Sequence, residues 1–86
     1  MLNKLNLYSR RVIMYLEYSH KARRKLRDEG VSETEIVDCV NKGSKIINKD
    51  KTIIARYGYL TVVYKKKRYG TFVISLWTGD KEYKAR

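Results

Sequence analysis

The hydrophobic pattern changes its period at Gly43, and this change constrains the fold more than any other feature of the sequence. Before Gly43, apolar residues recur every three to four positions, which is typical of helices that bury one side. After Gly43, segments rich in Ile, Val, Thr and aromatic residues read with a period of two, which is typical of strands. Short turns between consecutive strands imply an antiparallel meander. The predicted strands cover 45–48, 52–57, 59–64 and 71–77.

Two short helices are predicted before this change. Ser19 can accept hydrogen bonds from the free amides at the start of a helix over 20–29, which stops at Gly30. The sequence Ser-Glu-Thr-Glu at 32–35 is a capping box, and it opens a second helix that ends at Gly43. The spacing of the apolar residues predicts which of them face inward: Ala22 and Leu26 in the first helix, and Ile36, Val37 and Val40 in the second.

The segment 12–18 permits two interpretations. Its residues are mostly β-branched or aromatic and alternate in character, which favours a strand that leads directly into the first helix. Apolar residues from Leu2 to Val12 are also spaced for one face of a helix, so a short N-terminal helix reaching Leu16 is the alternative. We prefer the strand.

These elements predict a single α+β domain over residues 1–86, with two helices packed on an antiparallel sheet of about four strands. A chain this short buries only about 60 to 65% of its unfolded surface, which is enough for one core. We expect that core to span about 12–79, followed by a charged tail over 80–86. The single cysteine, Cys39, is expected to be a buried helix residue, since it has no second thiol with which to pair.

The formal net charge of +11 predicts a polyanionic partner. Both a nucleic acid and an anionic membrane surface fit such a charge. No apolar run approaches the ~20 residues of a membrane span, and the first eleven residues lack the apolar core of a signal peptide. We therefore expect a cytoplasmic protein without membrane association whose partner is a nucleic acid, with RNA preferred over DNA.

Basic residues form two clusters that are separated in the sequence. Interleaved aromatic residues, including Tyr57 and Tyr59, suit phosphate contacts combined with base stacking on a single strand. The alternative is that the charges are solvated and the tyrosines only fill strands. The first cluster lies on the first helix and comprises Lys21, Arg23, Arg24, Lys25 and Arg27. The second is a predicted hairpin loop of Lys65, Lys66, Lys67, Arg68 and Tyr69, with Tyr64 directly before it.

His20 is the one histidine of the chain and the sharpest candidate for catalysis. Cleavage of RNA without a metal requires a base for the 2′-hydroxyl proton, cations for the phosphorane and an acid for the leaving oxygen. His20 at the helix start, with Arg24 one turn later, has suitable chemistry, and an exposed histidine without function is the alternative. No carboxylate cluster of the two-metal kind is visible, so we expect neither a metal nor a cofactor.

Residues 19–32, followed by Glu35-Ile36, resemble the signature of a small uncharacterised family: serine, histidine, alanine, a basic residue, Met or Leu, then Gly-Ile-Ser. That family lies near the BrnT toxins in the RelE-like group of barnase, EndoU and colicin nucleases. The similarity covers about 13–78 and includes Lys42-Gly43 and the segments 60–64 and 73–78. It implies a small RelE-like or BrnT-like fold and metal-independent endoribonuclease activity of the toxin kind.

The resemblance also implies roles for individual residues. His20 would be the general base or acid, although Lys21 stands directly before the alanine where the family has histidine. Such a one-residue slip rotates a helical side chain by about 100°. Arg24, Lys25 and Arg56 would stabilise the phosphorane, Thr78 would contact phosphate, and Lys65 to Arg68 would hold the RNA backbone.

Two other functions fit the same residues. The protein can be a nucleic-acid-binding protein that keeps the fold and charge but has no catalytic activity. It can also be a module that binds a protein partner, such as an acidic antitoxin. An exposed edge strand would allow a homodimer.

Overall fold

The computed structural model of the protein describes residues 15–79. Its elements, in chain order, are β1 (Leu16–Tyr18), α1 (His20–Glu29), α2 (Glu33–Lys42), β2 (Ser44–Ile47), β3 (Ile53–Tyr57), β4 (Leu60–Lys67) and β5 (Gly70–Thr78). The expected beginning of the first strand at Val12, the alternative N-terminal helix and the charged tail lie outside the described residues. The prediction of one domain over 1–86 also reaches beyond them and stays a prediction.

The five strands form one sheet in the order β1-β5-β4-β3-β2. Strands β2 to β5 are the predicted antiparallel meander, and the α+β class is confirmed. β1 agrees with the strand preferred for 12–18, within the described residues. Its parallel pairing with β5, with Leu16 opposite Thr71 and Tyr18 opposite Val73, is the addition to the prediction. The reason is topological: both helices carry the chain to the far edge of the sheet, and the four strands of the meander return across it. The returning β5 then runs in the same direction as β1.

Local capping interactions fix both helices at the predicted residues. The Ser19 hydroxyl accepts a hydrogen bond from the Ala22 amide at 3.0 Å, and Gly30 closes α1 with a φ of 66°, in the left-handed region that glycine tolerates. In α2 the Ser32 hydroxyl accepts from the Glu35 amide at 3.2 Å, and the Glu35 carboxylate accepts from the Ser32 amide at 2.9 Å. No helix within residues 15–79 has the length and apolar character to cross a membrane.

The helices pack on one face of the sheet and enclose the core. Tyr64 is only 1% exposed and lies in this core, so its predicted contact with nucleic acid is wrong. Side chains alternate along β4, and Tyr64 points to the same side as Val62. Cys39 is buried as predicted, and burial raises the pKa of its thiol to about 11. The other core residues include Ala22, Ile36, Val40, Ala55, Leu60, Val73 and Leu76.

The predicted loop over 65–70 is also wrong. β4 continues to Lys67 and β5 begins at Gly70, so that only Arg68 and Tyr69 form the turn. Lysines are uncommon in strands, but here the backbone ladder continues past them, with Lys65 opposite Phe72. Alternation within a strand therefore places Lys65 and Lys67 on one face of the sheet and Lys66 on the other.

Gly43→Ala is expected to destabilise the protein because a Cβ at this position would lie 2.6 Å from the Cys39 carbonyl oxygen and 2.7 Å from that of Arg56. Both are backbone atoms of packed elements, so α2 would have to move against β3, and such overpacking costs about 1 to 3 kcal/mol. Urea denaturation measures the loss. Asn41→Ala, at an exposed position of the same helix, is the control, expected within about 0.5 kcal/mol of the parent. Equal losses in the two variants would contradict the steric explanation.

Candidate nucleic-acid interface

The sheet face opposite the helices carries a row of side chains that crosses three strands. Residues directly opposite in an antiparallel pair share a face, and Arg56 lies opposite Thr61, which in turn lies opposite Trp77. The neighbouring row, which contains Ala55, faces the helices, so the Arg56 row faces the other way. We call this second face the outer face. This face also carries Ile54, Val63, Lys65, Lys67, Phe72 and Ser75. Its centre is buried, at Thr61, Val63 and Ser75, and its cations lie around that centre.

Helix α1 adds a cation to one end of this row. The helix follows the second half of β5, since the Ser19 hydroxyl at its start donates to the Ile74 carbonyl at 2.7 Å and Glu29 at its end accepts from the Thr78 hydroxyl. In this position the Lys25 amine lies 5.9 Å from the centre of the Trp77 ring, which is cation–π distance.

Lys25, Trp77, Thr61 and Arg56 therefore form a line that we call the cationic row. Arg56 is exposed, whereas Thr61 is buried in the middle of the row. With adjacent strands about 4.8 Å apart, the backbone positions of Arg56 and Trp77 are separated by roughly 10 Å. The row thus places the Lys25 amine and the backbone of Arg56 on opposite sides of Trp77, an arrangement that suits phosphates flanking a stacked base.

The candidate catalytic residues are not brought together by the fold. His20 begins α1 and Thr78 lies beside its end, and a ten-residue helix rises by about 14 Å between its first and last residue. Thr78 also lies opposite the buried Leu60, on the helix side of the sheet, whereas Arg56 is on the outer face. Arg24, one turn after His20, is exposed on the same side of α1. The predicted set therefore separates into His20 with Arg24, Lys25 with Arg56, and Thr78 with Glu29.

The remaining cations of α1 divide between two directions. Lys21 is one turn before Lys25 and shares its side of the helix, next to the outer face. Arg23 and Arg27 are also one turn apart, and Arg23 is close enough to Tyr18 to oppose the rise in the pKa of that phenol. All three of these basic residues are exposed. Only the Lys21 side of the cluster can therefore join a ligand on the outer face.

The turn between β4 and β5 combines cations with aromatic rings. The Lys67 amine lies 5.3 Å from the centre of the Phe72 ring, and the Arg68 guanidinium lies 5.9 Å from that of Tyr69. Tyr69 is 78% exposed. Lys65 and Lys67 extend the positive charge of the outer face toward this turn, whereas Lys66 lies on the helix side.

Acidic residues of α2 occupy a different side of the molecule. Glu33 accepts a hydrogen bond from the Tyr18 hydroxyl at 3.2 Å, and Glu35 accepts one from Tyr59 at the same distance. Burial and the Glu33 charge raise the pKa of Tyr18, while the Ser32 amide and the Tyr59 hydroxyl lower the pKa of Glu35. Both tyrosines are therefore engaged by carboxylates of α2.

Tyr57 lies next to the same acidic residues as Tyr59. Both residues line a cavity of about 130 Å³ together with Glu35 and Asp38. A polyanion would be repelled there, so the structure does not support the predicted pairing of Tyr57 and Tyr59 with the basic residues. Within residues 15–79, no three His, Cys, Asp or Glu side chains are grouped as metal ligands.

The comparisons with known proteins give one structural likeness. No protein-family model matches the chain, and no curated protein matches it. One solved structure, the RelBE2 toxin–antitoxin complex from Mycobacterium tuberculosis, is similar at a TM-score of 0.47 and 18% identity, over 79% of this chain and 100% of that chain. At these values the likeness establishes neither family nor function, and the resemblance to BrnT and RelE-like proteins stays a prediction.

Two residues of the interface were not among the candidates from the sequence. Trp77 and Thr61 were assigned only to strands, yet they join Lys25 to Arg56 across the sheet. Strand alternation alone places Thr61 on the same side as Lys65 and Lys67, and this was the available signal. Nothing local in the sequence links Trp77 to Lys25, because that contact depends on how α1 docks beside β5.

Proposed function

We propose that the protein binds single-stranded RNA along the outer face. The observation that carries the proposal is the cationic row, in which Lys25 and Arg56 stand on either side of Trp77. Single-strand binding proteins combine cations for the phosphates with aromatic rings on which unpaired bases stack. The net charge of +11 favours association with a polyanion in general, and the row specifies where its bases are held.

The binding path extends along β4 toward the hairpin lysines. Thr61, Lys65 and Lys67 lie on the same face of this strand, and about 20 Å separates Thr61 from Lys67 at 3.4 Å per residue. Bases of a duplex are stacked and paired, so only an unpaired strand can present them to Trp77. The acidic side formed by α2 would exclude the backbone and restrict it to this path.

Lys25→Gln and Arg56→Gln are each expected to weaken binding of a single-stranded RNA and to reduce its salt dependence. Each phosphate contact contributes a slope of about −0.7 in log affinity against log salt, so each variant should lose roughly that amount of slope. Fluorescence anisotropy over a salt series measures both effects. Lys42→Gln changes the same charge on α2, where Lys42 pairs with Asp38 at 3.8 Å, and serves as the control.

Equal weakening by Lys42→Gln would show that net charge, rather than the cationic row, determines binding. A wild-type affinity that does not change with salt would contradict RNA binding through the basic residues altogether.

A narrower form of the proposal is that the protein also cleaves the RNA that it binds, without a metal ion. The 2′-oxygen would attack the adjacent phosphorus and expel the 5′-oxygen, leaving a 2′,3′-cyclic phosphate. One group removes the 2′-hydroxyl proton and another protonates the leaving oxygen. Lys25 and Arg56 supply positive charge for a phosphorane held on the outer face. A phosphorane held at the start of α1 would instead have Arg24 for charge and His20 for proton transfer.

Cleavage of a labelled RNA in excess EDTA tests this form. We expect cleavage by the wild type and a loss of at least tenfold in Lys25→Ala, because the variant removes charge stabilisation from the phosphorane. A comparable loss in His20→Ala instead would place the reaction at the start of α1, beside Arg24. Lys42→Ala is the matched control and should retain activity. Wild-type protein that binds the RNA and leaves it intact would exclude cleavage and leave a non-catalytic binding protein.

A second candidate function, binding of a protein partner, is favoured by the edge strand β2. All four residues of β2 are exposed, and Ile46 and Ile47, 64% and 70% exposed, point to opposite faces of the strand. Among the strands within residues 15–79, β2 is last in the order, so one side of its backbone is left for an added strand. The exposed lysines nearby, Lys45, Lys49 and Lys51, favour an acidic extended segment.

An acidic peptide of alternating Glu and Val residues is the probe for this candidate. We expect it to shift the backbone amide NMR signals of β2, and we expect Ile47→Glu to weaken binding by adding a charge of the same sign as the peptide and removing apolar contact. Tyr69→Glu introduces the same charge at the distant hairpin and is the control. If the β2 amide signals shift with protein concentration in the absence of peptide, the edge strand β2 instead pairs with a second copy of the chain.

A further inference from the structure

A cleft of about 540 Å³ opens between the start of β1 and the β4–β5 turn. Tyr15 and Glu17 line one side of it, and Lys67, Arg68 and Tyr69 line the other. Its volume falls within the range of small-ligand sites, which is about 300 to 1,000 Å³. Aromatic rings, cations and a carboxylate thus meet in one cleft, away from the cationic row.

Gly70 leaves the space that allows the Tyr15 ring to line this cleft. A Cβ at Gly70 would lie 2.5 Å from the Tyr15 carbonyl oxygen and 2.9 Å from Cδ2 of its ring, so the missing side chain lets Tyr15 lie directly over the backbone of β5. The Tyr15 carbonyl also accepts a hydrogen bond from the Thr71 amide at 2.9 Å. The position of Tyr15 is therefore fixed by the sheet, while its side chain remains 59% exposed.

We propose that this cleft binds one unpaired base of the RNA, preferentially a base with an exocyclic amino group. This inference rests on the proposed RNA binding and deepens it. Tyr15 and Tyr69 offer ring faces for stacking, which is independent of base identity. Lys67 and Arg68 provide charge for the phosphates on either side of the base.

Glu17 supplies the selectivity. An ionised carboxylate only accepts hydrogen bonds, so it can pair with the amino groups of adenine, cytosine and guanine. Uracil has no amino group, and its N3–H donor lies between two carbonyl oxygens whose lone pairs repel a carboxylate. The Tyr15 hydroxyl lies 3.4 Å from one carboxylate oxygen of Glu17, which leaves the second oxygen to a base. Glu17 therefore favours amino-bearing bases over uracil, and the two tyrosines hold whichever base enters.

The test uses three short RNAs of the same length. In two of them only the central nucleotide carries a base, which is adenine in one and uracil in the other, and the third is fully abasic. The phosphate charge is identical in all three, so differences in affinity report on the base alone. With the full-length wild type we expect adenine to bind more tightly than uracil, and uracil more tightly than the abasic strand. Tyr69→Ala should weaken binding of the adenine strand by about fivefold to a hundredfold, as expected for one lost stacking contact.

Matched variants separate stacking, selectivity and folding. Tyr69→Phe retains the ring and should bind as the wild type does, and Glu17→Gln should reduce the preference for adenine over uracil. Tyr59→Ala removes a tyrosine that is 58% exposed at the other hairpin, beside Glu35, and should leave affinity unchanged. Circular dichroism melting confirms that each variant is folded.

The outcomes distinguish this inference from the function on which it rests. Salt-dependent binding that is equal for the adenine, uracil and abasic strands, and unaffected by Tyr69→Ala, would overturn the base site while RNA binding stands. Wild-type protein that binds none of the strands would overturn RNA binding itself. Lost discrimination in both Tyr69→Ala and Tyr59→Ala would assign the effect to general destabilisation and overturn the cleft.

Discussion

The hydrogen bonds of Ser19 are the constraint on which the rest of the site depends. Its amide donates to the Val73 carbonyl at 3.0 Å, and its hydroxyl both accepts from the Ala22 amide and donates to the Ile74 carbonyl. Ile74 is an extra residue of β5 relative to β4, since Val63 lies opposite Ser75 and Tyr64 opposite Val73. One residue therefore ends β1, begins α1 and directs the helix along β5. Without that direction Lys25 would not reach Trp77.

The features that follow from short-range interactions could be predicted from the sequence. Ser19, Gly30 and the capping box act on residues within one turn, and both helices begin and end where these residues indicate. The parallel pairing of β1 with β5 joins segments more than fifty residues apart and has no local signal. Lysines 65 to 67 indicated a loop by composition, but cross-strand pairing extends β4 through them. The burial of Tyr64 could have been read from its alternation with Val62.

The two helices separate the charge of the molecule, because α1 is basic and the first two turns of α2 are acidic. α1 carries five cations, whereas α2 carries Glu33, Glu35 and Asp38 in its first two turns. The α1 cations repel each other within one short helix, which costs stability in the absence of an anion. The carboxylates of α2 are partly engaged by Tyr18 and Tyr59. A polyanion that approaches the α2 side meets like charge, so electrostatic steering favours contact away from that side.

Trp77 is the single tryptophan of the chain, and it lies within the cationic row. Its intrinsic fluorescence therefore originates from one place, where the Lys25 amine approaches the indole ring. An anion that withdraws Lys25, or a base that stacks on the ring, changes the polarity around this one fluorophore. The protein consequently contains its own optical reporter, and events at the row can be followed in unlabelled protein in real time.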